Sequence, residues 1–514
     1  MSNLPSFSLR FVVVSDFSSP GIWTRHKGWA CSFETRTASH RRLLGTALAA
    51  AFFLFLAGSG RVQAQTATVN WTNVHQVIDG FGASEESQGG SMSSANQAFF
   101  FGTGNGQLGL SLLRVGVTDG RQDPGDCSSV SSSCAGVYVG DMQAVLANGG
   151  RVYASPWSPP AAYETNGSTE CSAGGGNGGL ATADYASYAT WLANFVQSLK
   201  TEDSINLYAI SVQNEPDMCE PYDSAVWSAS AIDTFVKDNL GPTFATAGLS
   251  TLIFAPEGSS SSATASLGAT CGADPTCAQY VGGYNWHDYN ANFSGFTVSP
   301  NLAPSGWASG KKWWMTEVSC GSGYGPGGAC PGGFNTSMAN ALDWAALIDQ
   351  RMQDGANAWL YWQFIDYNGA ATSADDSLMA NSAGGNVVAA RAFVLGQYGK
   401  FVRPGYYRID ATHLPQTGVS VSAFQNKSTN TLVIIATNYT GSAVSQTFNL
   451  TNAPTFSTMT PTTTSASLRL ATQSNLSVSG NSFTYTLPAN SVTTFVSSGS
   501  APPAPTNLSG TVVQ

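Results

Sequence analysis

Eight short apolar runs constrain this chain more than any other feature. They fall at 77–81, 110–117, 151–156, 206–213, 251–255, 282–287, 312–318 and 357–364. Each has the length of a buried strand. Helical periodicity fills several of the gaps, at Tyr185–Leu199, Ser224–Phe244, Ser337–Met352 and Asn386–Phe401. In the first of these, Tyr188, Trp191, Leu192, Phe195 and Leu199 recur at helical spacing and mark one apolar face. Strands alternating with helices in this way predict an α/β fold, a (β/α)8 barrel over residues 79–402. The working face of such a barrel lies at the C-terminal ends of its strands.

Beyond Arg403 the texture changes. Runs at 419–424, 431–437, 446–450, 465–470 and 482–487 are short, β-rich and separated by Asn, Gly, Ser and Thr. They predict an all-β sandwich over 403–498. Residues 65–78 alternate like a strand and are assigned to the same sandwich. The stretch 499–514 opens with the Pro-rich composition of a linker.

The first 64 residues read as a leader. Arg41 and Arg42 precede an apolar run from Leu43 to about Ala57, and small residues follow up to Ala64. That order marks a secretory signal, too short to be a membrane span. Without it the chain holds 14 basic and 29 acidic side chains, a net charge of −15. So acidic a chain, with no basic stripe, excludes nucleic acid and anionic membrane as partners. A secreted monomer acting on a neutral polymer is expected. The eight remaining cysteines are Cys127, Cys134, Cys171, Cys219, Cys271, Cys277, Cys320 and Cys330. An even number in an exported protein reads as disulfides. Three pairs close in sequence (Cys127 with Cys134, Cys271 with Cys277, Cys320 with Cys330) suit local staples and leave Cys171 with Cys219. No C-x-x-C occurs and histidines are few, so neither a metal nor another cofactor is expected.

Two of the apolar runs end in a carboxylate, at Asn214-Glu215-Pro216-Asp217 and at Met315-Thr316-Glu317-Val318. A lone Glu after a strand is usually an ordinary loop residue. Two at matching strand ends, the fourth and the seventh, converge across a barrel mouth. Paired carboxyls of this kind are the machinery that cleaves a glycosidic bond, one as proton donor and the other as nucleophile or base. Glu85, Glu86, Glu257 and Asp366 occupy the same face without such context and rank below them; Glu257, ending the fifth strand, could orient its neighbours.

Six motifs in one order resemble glycoside hydrolase family 30, and within it the secreted bacterial endo-xylanases. They are Asp79-Gly80-Phe81-Gly82-Ala83, Leu113-Arg114-Val115, residues 154–160 around Trp157, residues 211–217, His287-Asp288-Tyr289 and Trp314–Val318. The likeness runs from about residue 66 to 497. It implies a retaining mechanism on a (β/α)8 barrel with an attached β-sandwich. On this resemblance Glu215 is the general acid/base, holding its proton until the leaving oxygen departs. Glu317 is the nucleophile, kept ionised by Arg114 and Tyr289, and Asn214 hydrogen-bonds the sugar 2-hydroxyl. Trp157, His287 and Trp362 are expected to line the subsites.

One departure bears on substrate. Family members that require a glucuronate branch carry an Arg pair just after the strand-eight Trp. Here Trp362 is followed by Gln363, Phe364, Ile365 and Asp366. A bidentate Arg–carboxylate contact has no substitute in Ile and Asp. An endo-β-1,4-xylanase without a glucuronate requirement is therefore expected. An endo-β-1,6-galactanase or a glucosylceramidase-like enzyme of the same family is the alternative, and a non-catalytic carbohydrate-binding protein is a more distant one.

Overall fold

The computed structural model describes residues 65–85, 91–117, 127–130, 136, 138–294, 296–298, 300, 310–320, 334–367, 377–382 and 385–498. After β1 (Thr66–Val77) come eight strands that form the barrel. They are β2 (Gly80–Glu85), β3 (Leu112–Gly116), β4 (Arg151–Ser155), β5 (Ala209–Ser211), β6 (Leu252–Gly258), β7 (Val281–His287), β8 (Lys312–Glu317) and β9 (Ala358–Asp366). Each pairs in parallel with the next. Pairing of β9 with β2 closes the ring. Almost every barrel-strand residue is buried, because side chains fill the inside while helices cover the outside. That is why the runs read as apolar blocks and not as alternation.

A layer of Leu112, Tyr153, Ala209, Phe254, Trp314, Ala358 and Leu360 plugs the interior. The Trp314 ring meets Phe254 edge-on at 5.0 Å and Tyr153 at 5.7 Å. Beneath this layer lies Asp79, 1% exposed, just before β2. Its carboxylate takes hydrogen bonds from Lys312 at 2.8 and 2.9 Å, from Trp314 Nε1 at 2.9 Å and from the Tyr208 hydroxyl at 3.1 Å, and it pairs with Arg151. Arg151 and Lys312 are the first residues of β4 and β8, so this ion cluster closes the N-terminal end and leaves the opposite end for chemistry.

Serine caps start four of the outer helices. Ser93, Ser228, Ser260 and Ser337 each accept a hydrogen bond from the backbone N–H three residues on. A cap of this type stabilises a helix by about 1 kcal/mol. The helix Tyr185–Glu202 buries Tyr188, Trp191, Leu192, Phe195 and Leu199 on one face, as its periodicity predicts. Elsewhere the boundaries differ. Residues 224–228 are not helical, since Ser228 caps a helix that starts at Ala229 and passes through a π-helical turn at Val236–Leu240. The expected helix from Asn386 begins only at Ala390. The β-branched Val387 and Val388 belong to a strand, Gly385–Val388, paired antiparallel with Ser377–Ser382.

The second sheet system runs in the order Thr458–Thr464, Ser491–Ser497, Thr431–Asn438, Val419–Asn426, Tyr407–Ala411, β1, Val444–Thr451, Ser482–Leu487. β1 lies antiparallel to Tyr407–Ala411 and parallel to Val444–Thr451. Ala67, Val69 and Trp71 thereby enter a core with Ile409, Phe448, Phe483 and Phe495. Residues 465–470, expected as a strand, form a bend in which Leu470 takes a positive φ of 47°. The strand precedes them, hidden in the Thr-rich segment Thr458–Thr464. The helix Ala390–Gly399 docks on this sheet through Gln397, which donates to the Thr464 hydroxyl at 2.8 Å and accepts from Thr494 at 3.0 Å.

Removing the Asp79 carboxylate strands two cations and an indole N–H. Asp79→Ala is expected to lower the unfolding free energy by about 3 kcal/mol, the low end for a broken buried pair because both cations keep some solvent. Urea titration measures this, and a loss below about 1 kcal/mol would show that the cluster is not a keystone.

Candidate active site

At the C-terminal end of the barrel Arg114, on β3, is 0% exposed. Nη1 donates to Glu317 Oε2 at 2.8 Å and to Ser84 Oγ at 3.3 Å. Nη2 donates to Asn214 Oδ1 at 2.6 Å and lies 3.3 Å from Glu257 Oε1. The guanidinium also sits 4.4 Å over the Trp157 ring and 5.9 Å from that of Trp362. One planar cation thus fixes residues from four other strand ends. With Oδ1 held, the Asn214 amide keeps Nδ2 as its donor for a ligand.

Glu215 follows β5 with a φ of 42°, a region that a side chain other than glycine rarely occupies. The surrounding backbone holds it there. Asn214 N–H donates to the Pro156 carbonyl at 2.8 Å, Glu215 N–H to the Glu257 carbonyl at 2.9 Å, and Met218 N–H to the Glu215 carbonyl at 2.9 Å. Glu257 and Glu317 arrive differently. Register shifts between Phe254 and Glu257 and between Met315 and Glu317 interrupt the ladders of β6 and β8 just before each carboxylate. Irregularities of this type re-aim a side chain at a strand end.

One carboxylate oxygen of Glu215, one of Glu317 and a ring nitrogen of His287 lie within 4.8 Å of one another. Glu317 Oε1 accepts from the Tyr289 hydroxyl at 2.9 Å while Oε2 accepts from Arg114. Glu215 Oε1 lies 2.7 Å from His287 Nδ1, and among the described residues no donor reaches its Oε2. Glu257, 0% exposed, accepts at Oε2 from Tyr153 at 2.7 Å and Ser155 at 2.6 Å. Its Oε1 is 3.5 Å from His287 Nε2, an ion-pair distance and not a full hydrogen bond. His287, expected to line a subsite, is 0% exposed and wedged behind three carboxylates.

The electrostatics follow from this packing. Burial disfavours a charged His287, but the charges of Glu317 and Glu215 and the contacts to Glu215 and Glu257 outweigh it and push the imidazole up to about 10. Burial also opposes ionisation of Glu257, yet Arg114 and His287 hold that carboxyl well below the usual range. Burial raises Glu317; His287 and Arg114 oppose the rise and Glu215 adds to it. Arg114 and His287 together carry two positive charges against three carboxyls. The cluster is neutral when one of the three is protonated.

Trp157 and Trp362 stand 5.8 Å apart at 51° and wall one side. Sequence reasoning missed Tyr222 on the loop after Glu215. The residue is 47% exposed, and burial of its hydroxyl followed by the charges of Glu215, Glu220 and Glu317 raises that hydroxyl above its ordinary value. Tyr222 thus lies close enough to these carboxylates to feel their charge while much of its surface meets solvent. Its loop is pinned by a Cys171–Cys219 disulfide with Cα atoms 5.1 Å apart, and by Ser224 N–H on the Thr169 carbonyl at 2.9 Å. Cys271 and Cys277 are also joined. Cys127 and Cys320 are each disulfide-bonded, while Cys134 and Cys330, together with Glu86, lie outside the described residues.

A closed (β/α)8 barrel with two carboxyls converging at its mouth defines a glycoside hydrolase. The sequence profile of the glycosyl hydrolase family 30 TIM-barrel domain matches residues 138–304. Glucuronoxylanase XynC of Bacillus subtilis (strain 168) is 33% identical over 444 residues, 84% of this chain and 92% of that protein. Among solved structures, the family 30 subfamily 8 xylanase Xyn30A from Clostridium acetobutylicum superposes with a TM-score of 0.69 at 31% identity, over 84% of this chain and 99% of the other. The endoxylanase of this family from Clostridium papyrosolvens C71 gives 0.67 at 31% identity, over 85% and 100%. The chain belongs to glycoside hydrolase family 30.

Arg114→Lys tests the hub. An ammonium is a point charge that cannot span Glu317 and Asn214 in one plane. Loss of one charged hydrogen bond, at about 1.5–3 kcal/mol, lowers kcat/KM on the best glycan substrate about ten- to a hundredfold. Circular dichroism should show the fold retained; a change within about twofold would refute the role given to Arg114.

Proposed function

We propose that this protein is an exported, retaining endo-β-1,4-xylanase that does not require a glucuronate branch. The observation that carries the reaction is the proximity of Glu215 and Glu317. Retaining enzymes hold their carboxyl groups about 5–5.5 Å apart and inverting ones about 6.5–9.5 Å, to leave room for water. One oxygen of each lies within 4.8 Å of the other, an approach compatible with the first geometry.

In the first step Glu317 attacks the anomeric carbon as the bond to the leaving oxygen breaks. The bonding pair goes to that oxygen, which takes its proton from Glu215. In the second, water attacks the same carbon, its proton returns to Glu215, and the bond to Glu317 breaks. The donors favour this assignment. Arg114 and Tyr289 place negative charge on Glu317, while Oε2 of Glu215 is free to carry a proton toward the substrate. Asn214 meets the 2-hydroxyl, Trp157 and Trp362 enclose the sugar being cleaved, and Tyr222 offers a face to the leaving sugar beside Glu215.

The substrate reading rests on charge. The relatives are named glucuronoxylanase and xylanase, which supports a xylan backbone. In this chain, however, residues 288–310, 318–337 and 367–389, the segments after β7, β8 and β9, contain no Lys or Arg. Ile365 and Asp366 are 2% and 5% exposed, so neither reaches out to a branch. The leader and the disulfides support export.

Two measurements decide these points. Glu317→Ala should lose polymer hydrolysis and recover activity with azide, giving a product of inverted configuration. Glu215→Ala should lose about 10²–10⁴-fold on polymer but far less on substrates with activated leaving groups, which need no proton. Wild-type-like hydrolysis of polymer by either variant sinks the assignment. For the branch, kcat/KM on glucuronoxylan divided by that on de-branched xylan should stay below about ten, since an absent bidentate contact forfeits about 1.5–3 kcal/mol. A ratio above about a hundred would place a glucuronate-binding cation elsewhere on the rim.

A further inference from the structure

Glu257 touches neither of the atoms that would react, yet it contacts more of the site than an ordinary buried carboxylate requires. Its backbone carbonyl accepts from the N–H of Glu215, and Asn214 pairs with it in a parallel bridge. Its side chain lies 3.3 Å from Arg114 and 3.5 Å from His287. His287 has two nitrogens and both face carboxylates. Nδ1 is 2.7 Å from Glu215 and 3.6 Å from Glu317, and Nε2 faces Glu257. The other charged or titratable neighbours are accounted for. Tyr153 donates to Glu257, Tyr289 donates to Glu317, and Asp288 is taken up by Arg351 at 2.6 and 3.1 Å.

A buried imidazole in this position has two states with opposite consequences for Glu215. As a cation it donates from Nδ1 to Glu215 Oε1, and the Glu215 proton must sit on Oε2, toward the cleft. As a neutral ring protonated at Nε2 it presents a lone pair at Nδ1, the natural acceptor for that same proton. The Glu215 proton would then be spent on His287. The charges of Glu317 and Glu215 favour the cation from the Nδ1 side, and behind Nε2 the carboxylate that adds to them is Glu257, at 3.5 Å. We propose that Glu257 is a positioning residue for the acid/base step, helping to hold His287 in its doubly protonated, cationic form so that the Glu215 proton is presented to the leaving oxygen. This rests on the assignment of Glu215 as acid/base. The charge balance agrees. With Glu257 and Glu317 negative, Arg114 and His287 positive and Glu215 protonated, the cluster is neutral. After transfer of the proton and of the glycosyl group, Glu215 replaces Glu317 as the second anion and the cluster is neutral again.

Glu257→Gln keeps the shape and removes the charge. One negative charge fewer makes a proton easier to lose from the pair formed by His287 and Glu215. The alkaline limb of kcat/KM on xylan should therefore move to lower pH by about one unit or more. At neutral pH activity on xylan should fall about tenfold or more, and that on an aryl glycoside with an activated leaving group by less than about threefold. Glu257→Asp, which retains the charge, should restore the limb. A purely structural role predicts equal losses on both substrates with the limb unmoved, and that result overturns the proposal. Nitrogen-15 NMR of labelled histidine provides a readout independent of turnover. One histidine of the wild-type protein should remain doubly protonated at neutral pH and lose that state in Glu257→Gln. A neutral His287 in the wild type refutes the proposal even if the variant does not fold. If the wild type fails to cleave xylan, the functional reading fails and the histidine titration still decides the coupling of Glu257 to His287.

Discussion

The mouth of this barrel is organised around one desolvated guanidinium. Taking Arg114 out of water costs several kcal/mol unless its donors are met. Its two terminal nitrogens are met by Glu317, Asn214, Ser84 and Glu257, with the Trp157 ring against its face. Partners of Arg114 therefore cannot move independently: displacing one exposes a buried cation to an empty space. A flexible ammonium would satisfy the charge without imposing the plane. The planar fork puts Asn214 and Glu317, from β5 and β8, into one frame, and the substrate would meet a site whose geometry is set before it arrives.

Backbone irregularity supplies the remaining aim. A regular strand would deliver side chains to alternate faces, and the residue next in line would not face the cleft. Interruptions in β6 and β8 place Glu257 and Glu317, and a left-handed φ places Glu215. Strain of that sort costs about 1–3 kcal/mol per residue and persists only where neighbours over-determine it. Here the Glu257 carbonyl on the Glu215 N–H and the turn to Met218 do so. At the far end of the barrel the Asp79 cluster and the Trp314 layer give these strand ends a fixed base.

Much of this was legible in the sequence. Barrel strands buried on both faces show as apolar blocks, and Glu215 and Glu317 stand out because each ends such a block. The helices after β2, β3 and β6 were not legible. Ser261–Ala273 is mostly Ser, Ala, Gly and Thr and buries only Thr264, Gly268 and Cys271, so it carries little periodicity. The strand Thr458–Thr464 is masked by threonine and a proline, residues whose strand preference depends on neighbours. Tyr222 has no pattern around it, since its place depends on a loop tied by Cys171 and Cys219. His287 was placed at the cleft but with the wrong exposure. Nothing in a histidine at a strand end tells whether it meets a ligand or three carboxylates. Glu257 was visible as a strand-end carboxylate, but its coupling to Arg114 and His287 arises only when the ring closes.

The same balance of charge constrains what the cleft can recognise. Among the described residues, the two cations of the mouth are consumed internally, Arg114 by Glu317 and Glu257, His287 by all three carboxylates. Neither can be lent to a substrate anion without leaving a buried carboxylate unpaired, which costs more than an exposed contact returns. The segments after β7, β8 and β9 bring no further cation. An uncharged sugar avoids the conflict: its hydroxyls need only dipoles such as the Asn214 amide, and its faces need only rings such as Trp157, Trp362 and Tyr222. In the proposed reaction the cluster also keeps its net charge, since the anion lost at Glu317 reappears at Glu215. The work of the site is then to move charge between two carboxylates a few ångströms apart, under fixed dipoles that need little reorganisation as it moves.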